Sequence, residues 1–219
     1  DIFVWIEQFE GEVPGASWEA VGAARSLVEE QSGDVIACLF GDDGLDELTQ
    51  EAFSYGADKV LLATDASLAD FRVEPYAALL EKAVRDLEPE TVLIAATFRG
   101  RELGPALAVK LDTGCIADCT VLSAEDGQVV ATRPIYAGKL MSRCTIPERR
   151  PQIFTTRVRA FGKPEPQPDQ DGEVIELEPV MGEDQIGVKV AGFKETEGGV
   201  SLADASIIVS GGRGVAGPE

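Results

Sequence analysis

The chain of 219 residues carries 39 acidic against 19 basic residues, a formal charge of −20, and 44% of it is apolar. The apolar share suffices for a packed core, whereas the acid excess repels nucleic-acid phosphates and anionic lipid headgroups and removes both from the expected partners. Histidine is absent altogether, which excludes histidine-dependent triads and cysteine-histidine zinc sites.

Residues 2–6 read as an apolar strand. Ser17 is placed to cap the helix that follows, with Val21, Ala24 and Val28 on its inward face, and residues 35–40 form the next strand, completing a βαβ unit. A short helix over 45–53 ends near Gly56, a third strand covers 59–63, and a helix over 74–87 is stopped by Pro89. Residues 91–96 are almost wholly apolar and precede a helix over about 102–111. Apolar strands alternating with amphipathic helices indicate an α/β fold: a mostly parallel sheet covered by helices on both faces.

Beyond Cys115 the helical period disappears. In "TVLSAEDGQVVATRPIY" strand-like flanks surround Asp126-Gly127, a pair suited to positive φ, so a hairpin is expected. "RPQIFTTRVRAF" supplies a strand with Ile153, Thr155, Arg157 and Arg159 on one side and Phe154, Thr156 and Val158 on the other; the two arginines meet either solvent or a partner's carboxylates. Residues 162–185, with four prolines, eight acidic residues and one lysine, read as an irregular exposed connection, although "EVIELEP" within it alternates like an edge strand. "IGVKVAGFKETEGGVSLADA" then crosses to a last apolar run, Ile207-Ile208-Val209, which reads as a buried strand opening into Ser210-Gly211-Gly212-Arg213-Gly214. A domain boundary is expected near Ala205.

Several motifs invite chemistry. Gly211 and Gly212 can take positive φ and carry no Cβ, so their N–H groups can approach phosphate oxygens, while Arg213 adds a permanent forked cation; the same pattern also serves as a plain turn. The Ser210 hydroxyl can donate to a ligand or cap the local backbone. Arg99 and Arg101 flank Gly100 just past the carboxyl end of a parallel strand, where open α/β sheets hold ligands, so a nucleotide site and a simple helix start both stay open. Asp112-Thr113-Gly114 resembles an aspartic-protease triplet, but it occurs once and follows a helix, which makes it a helix-terminating turn. Lys139, in the loop after Arg133-Pro134, either touches an anion or stays exposed. Cys38, Cys115, Cys119 and Cys144 lack paired C-x-x-C spacing; Cys115 and Cys119 either bind a ligand or, the reading preferred for a reducing compartment, are buried structural thiols, and no metal site is expected. No run approaches eighteen apolar residues and no basic segment leads into a cleavage site, so a soluble cytoplasmic protein without membrane insertion is expected. The acid excess reads either as a solvated surface or as adaptation to high salt, and the second reading predicts an unfolding temperature that rises with potassium chloride.

Three stretches together resemble the alpha subunit of electron transfer flavoproteins: "AATFRGRELGPALAVKLDTGCIADC" at 95–119, "ATRPIYAGKL" at 131–140 and "IVSGGRGVAGPE" at 208–219. The opening strands and "YGADKVLLATD" at 55–65 are also similar, so the resemblance covers nearly the whole chain. It implies a Rossmann-like, adenine nucleotide alpha hydrolase-like domain over residues 1–204 that binds no nucleotide, followed at 205–219 by the first strand and turn of an FAD-binding domain. It also implies Ser210, Gly211, Gly212 and Arg213 as cofactor-binding residues, with Arg213 at the flavin, and no catalytic or metal-ligating residue. The implied function is that of an electron carrier, not a stand-alone enzyme. As a heterodimer with a beta subunit, such a protein takes electrons from flavin dehydrogenases and passes them to a quinone oxidoreductase or another acceptor. This chain then mainly supplies the scaffold, with Arg101 and Glu102 at a helix start facing the beta subunit. The alternative is a small nucleotide-binding α/β hydrolase-like protein that uses residues 99–102.

Overall fold

The computed structural model describes residues 1–193, 205, 207–215 and 217. Ten strands occur in it: β1 (Ile2–Ile6), β2 (Val35–Gly41), β3 (Lys59–Thr64), β4 (Thr91–Ala95), β5 (Cys115–Cys119), β6 (Val121–Glu125), β7 (Gln128–Ile135), β8 (Leu140–Cys144), β9 (Gln152–Thr156) and β10 (Glu173–Glu176). Seven of them form one parallel sheet in the order β10-β3-β2-β1-β4-β9-β5, and β6, β7 and β8 form a small antiparallel sheet. Four helices accompany them: α1 (Gly15–Gln31), α2 (Asp46–Ser54), α3 (Val73–Leu87) and α4 (Phe98–Lys110). The expected α/β architecture is therefore present, and the hairpin turns at Asp126 and Gly127, both at positive φ (50° and 76°).

Alternation along β1 divides the core into two layers. Val4 and Ile6 pack with Trp18, Val21, Ala24 and Leu27 of α1, and the small sheet extends this layer with Val129 and Ala131. Phe3 and Trp5 point the other way, onto Tyr76, Leu79 and Leu80 of α3 and Leu103 and Leu107 of α4. Because both faces are covered, β1, β2 and β4 are buried along their whole length, and their sequences are correspondingly almost all apolar.

Four expectations change. Ser17 does not cap α1, which starts at Gly15 behind Pro14; its buried hydroxyl oxygen instead accepts the Glu7 N–H at 3.1 Å. Helix α4 starts at Phe98, earlier than its apolar period suggests, because Thr97 occupies the cap position and its Oγ1 accepts the Gly100 N–H at 3.0 Å. The strand expected to carry Arg157 and Arg159 stops at Thr156, and Arg157 turns onto Asp118 of its own chain. The apolar run Ile207-Ile208-Val209 is neither a strand nor buried: all three residues are exposed, Val209 by 94%. A strand needs a neighbour to pair its backbone, and no described segment pairs with these residues.

The "EVIELEP" expectation holds, with β10 joining the sheet edge in parallel to β3. Contacts divide the chain into a unit Asp1–Lys189 and a second unit Val190–Glu219. Of the crossing segment expected over 186–205, residues 194–204 lie outside the described residues. Among the described residues no helix is long and apolar enough to cross a membrane.

Candidate functional site

In the second unit, Ser210, Gly211, Gly212 and Arg213 are all exposed. Arg213 begins a single 3₁₀ turn, Arg213–Val215, closed by the Val215 N–H donating to the Gly212 carbonyl at 3.0 Å. Neither Gly211 nor Gly212 lies at positive φ here; of the nearby glycines, Gly217 does, at 134°. A Cβ added at Gly212 would meet nothing within 4 Å, so the backbone is open to a ligand on that side. Among the described residues Arg213 forms no ion pair. The four residues are thus together and accessible, and no ion-pair partner among the described residues holds the arginine away from an anion.

The first unit presents its polar groups at the carboxyl ends of the parallel strands. The strand order reverses between β1 and β4, the point at which doubly wound sheets open a ligand crevice. Here Glu7 follows β1 with little exposure, and its Oε2 accepts a hydrogen bond of 2.5 Å from the Thr97 hydroxyl at the start of α4. Arg99 donates to the Gln8 carbonyl at 3.1 Å, lies 3.8 Å from Glu7 Oε1, and stands over the Phe9 ring at 5.0 Å. Gly100 serves packing: a Cβ there would fall 1.9 Å from the Ala95 carbonyl oxygen. The crevice therefore contains a carboxylate of the chain itself, and Arg99, one of the two arginines for which the sequence left a nucleotide site or a simple helix start open, is engaged within it. Arg101 is exposed in the first turn of α4. Neither Glu7 nor Thr97 stood out in the sequence; the signal was a threonine directly after an apolar strand, three residues before a glycine.

A second polar group lies farther along the same edge. Arg157 donates to both carboxylate oxygens of Asp118, through Nε to Oδ1 at 3.1 Å and through Nη2 to Oδ2. These hydrogen bonds, with the charges of Arg157, Arg101 and Arg133, hold the Asp118 carboxyl below its ordinary range. The thiols behave oppositely: burial pushes Cys115 up to about 11 and Cys119 up to about 12, and raises Cys38 as well. All four cysteines are reduced, and these three are thiols at neutral pH, unsuited to nucleophilic attack. Among the described residues no cluster could hold a metal ion. Asp112 lies at φ 51° just past α4 and pairs with Arg149 at 3.1 Å, as a helix-ending turn should. Lys139 is exposed in the β7–β8 turn.

A sequence model of the electron transfer flavoprotein domain matches residues 2–180. The chain is 36% identical over 221 residues to electron transfer flavoprotein subunit alpha of Thermoanaerobacterium thermosaccharolyticum, covering all of this chain and 67% of that protein. The chain belongs to the electron transfer flavoprotein alpha-subunit family. Other members include subunit alpha of Megasphaera elsdenii, 38% identical across 98% of this chain and 64% of that protein. Protein FixB of Azorhizobium caulinodans is 38% identical across the whole chain and 60% of its own length. The chain thus spans between 60% and 67% of the length of these three family members.

Proposed function

We propose that this chain is the scaffold and beta-subunit-binding part of an electron transfer flavoprotein alpha subunit. In this reading residues 1–204 are the scaffold domain and 205–219 open the FAD-binding domain. The heterodimer takes electrons from flavin dehydrogenases in the cytoplasm and delivers them to a quinone oxidoreductase or another acceptor. The observation that carries the reading is family membership across residues 2–180, joined to an accessible Ser-Gly-Gly-Arg-Gly turn. The turn fits an anionic cofactor, since Gly212 has open space where a side chain would stand and Arg213 is exposed without an ion-pair partner among the described residues. Bound FAD supplies the one- and two-electron chemistry. The chain's own contribution is to bind and tune: Gly211 and Gly212 admit phosphate oxygens to the backbone, Ser210 offers a hydroxyl, and Arg213 supplies a fixed positive charge.

In the flavin-loaded heterodimer, Arg213→Ala should weaken flavin retention and lower the flavin reduction potential by on the order of 30 mV, the two-electron equivalent of about 1.4 kcal/mol. Spectroelectrochemistry reads the shift; an unchanged potential with unchanged retention overturns the role of Arg213. The scaffold role is tested separately by size-exclusion chromatography of the chain mixed with a beta subunit. Failure to co-elute overturns it. We further read the −20 charge as an adaptation to concentrated salt.

A further inference from the structure

The parallel pairing of β5 with β9 is irregular between Ile116 and Cys119, and there Asp118 takes a left-handed conformation, φ 62°. This places its carboxylate at the edge of a recess of about 470 Å³, lined also by Arg133, Pro134, Ile135, Tyr136, Ala137, Gly138 and Arg157. Arg157 grips the Asp118 carboxylate through two donors, so this arginine is positioned by the chain before any ligand arrives. Arg133 differs. Its Nε is buried and has no hydrogen-bond partner among the described residues, an arrangement that folded proteins rarely leave unused.

The lining points to the ligand class. Arg133 and Arg157 face the recess with a single carboxylate, Asp118, and the charge of Arg101 on α4 also reaches that carboxylate, so positive charge is in local surplus on a chain whose formal charge is −20. Such a surplus suits an anion, and a phosphate brings more charge than a second carboxylate would. Guanidinium forks also match the oxygens of a phosphate group. At the rim Tyr136 is 74% exposed, and the turn that holds it keeps Tyr136, Ala137 and Gly138 all at positive φ (49°, 55° and 82°). An exposed aromatic ring beside a guanidinium pair offers a surface to an organic group attached to the phosphate.

We propose that this recess binds the phosphate group of a small molecule, with Arg133 and Arg157 as its ligands and Tyr136 covering whatever organic group the phosphate carries. The phosphate reaches the recess either as the free ion or as a small ester.

Isothermal titration calorimetry at constant ionic strength, with inorganic phosphate and with phenyl phosphate, tests the assignment. Saturable binding of at least one is expected, weakened about tenfold or more by Arg133→Gln. Asp118→Asn should tighten binding severalfold, because it releases the Arg157 fork from its internal carboxylate. Since that change also touches the β5 irregularity, the decision rests on Arg133→Gln, with an unchanged melting temperature as evidence of folding. If phenyl phosphate binds more tightly and Tyr136→Ala removes the advantage, the proposal is supported in its ester form; equal affinities support it in the free-ion form. No saturable binding, or binding indifferent to Arg133→Gln, overturns it. So does equal displacement by succinate, or burial of Arg133 against a partner polypeptide with no phosphate bound to either chain.

Discussion

The hydroxyl of Thr97 joins two parts of the crevice at the strand carboxyl ends. It donates to Glu7 and accepts from the Gly100 N–H, so it caps α4 and satisfies a poorly exposed carboxylate at once. Thr97→Val keeps the shape and removes both bonds. The loss of the cap alone is worth about 1 kcal/mol, and the loss of a hydrogen bond to a charged group raises the total to roughly 2–3 kcal/mol, to be measured by urea unfolding. A destabilisation no larger than that of an exposed threonine would show that Glu7 finds other partners. A different single residue governs behaviour in acid. Glu183 accepts from Arg72 Nη1 at 2.8 Å and from Lys189 Nζ at 2.9 Å, and the arginine bond above all pulls its carboxyl down to about 2. Because the folded value is depressed, the contribution is complete above the ordinary carboxylate value of 4.5 and is lost as pH falls towards about 2. Hydrogen-exchange protection of residues 182–189, taken relative to the intrinsic rate at each pH, should therefore fall across that window. Glu183→Gln should show the low protection already at neutral pH; a variant whose protection still follows the wild-type acid profile would place the titration elsewhere.

Among the elements, β9 shows most clearly what a sequence hides. Its residues, Gln152 to Thr156, are all buried, although the strand begins with a polar amide and ends with two threonines. The reason is structural. Gln152 Oε1 accepts the Val129 N–H at 2.8 Å, and its Nε2 donates to the Val129 carbonyl at 3.2 Å, the Thr145 hydroxyl at 3.0 Å and the Ile146 carbonyl at 3.2 Å, so this amide binds the small sheet to the large one. Gln152→Leu should cost about 2–4 kcal/mol, since several buried backbone groups lose their partner together. A thermal melt within 1 kcal/mol of wild type, on the scale of roughly 2–4 °C, would refute the joint. Local signals sufficed for β1, β2, β3 and β4, where apolar runs are enclosed by both layers, and for the hairpin, where Asp126-Gly127 sets the turn. They failed where a distant partner decides the outcome. The start of α4 depends on Thr97 and not on apolar spacing, and Arg157 leaves its strand for a carboxylate 39 residues away. The run Ile207-Ile208-Val209 has the composition of a buried strand yet pairs with no described segment. At the candidate site the resemblance supplied Ser210 to Arg213, while the Asp118, Arg133 and Arg157 group is assembled by β5, β7 and the end of β9 from positions with no common spacing.

At the scale of the whole molecule the dominant electrostatic fact is 39 acidic residues against 19 basic ones. Most of the ion pairs involve well-exposed side chains, such as Arg143 with Glu125 and Lys82 with Asp86. Pairs of this kind contribute about 0–1 kcal/mol each, so screening them sacrifices little. The unpaired carboxylates respond in the opposite sense. Of the eight acidic residues within 162–185, all but Glu173 and Glu183 form no ion pair among the described residues, and their repulsion from one another and from the rest of this acidic unit opposes the compact state. Raising the salt from 0.1 to 1 M shortens the screening length from about 10 Å to about 3 Å, below the typical spacing of surface charges. Relief of about 2 kcal/mol of repulsion would lift the melting temperature by roughly 4–8 °C in a chain of this size. Calorimetry in potassium chloride and in sodium chloride should give the same rise, because screening depends on ionic strength. A flat or falling melting temperature in both chlorides would remove the salt-adaptation reading and leave the acid excess as surface solvation. Stabilisation by sulfate alone would remove it equally, since excluded salts strengthen burial in proteins of any net charge.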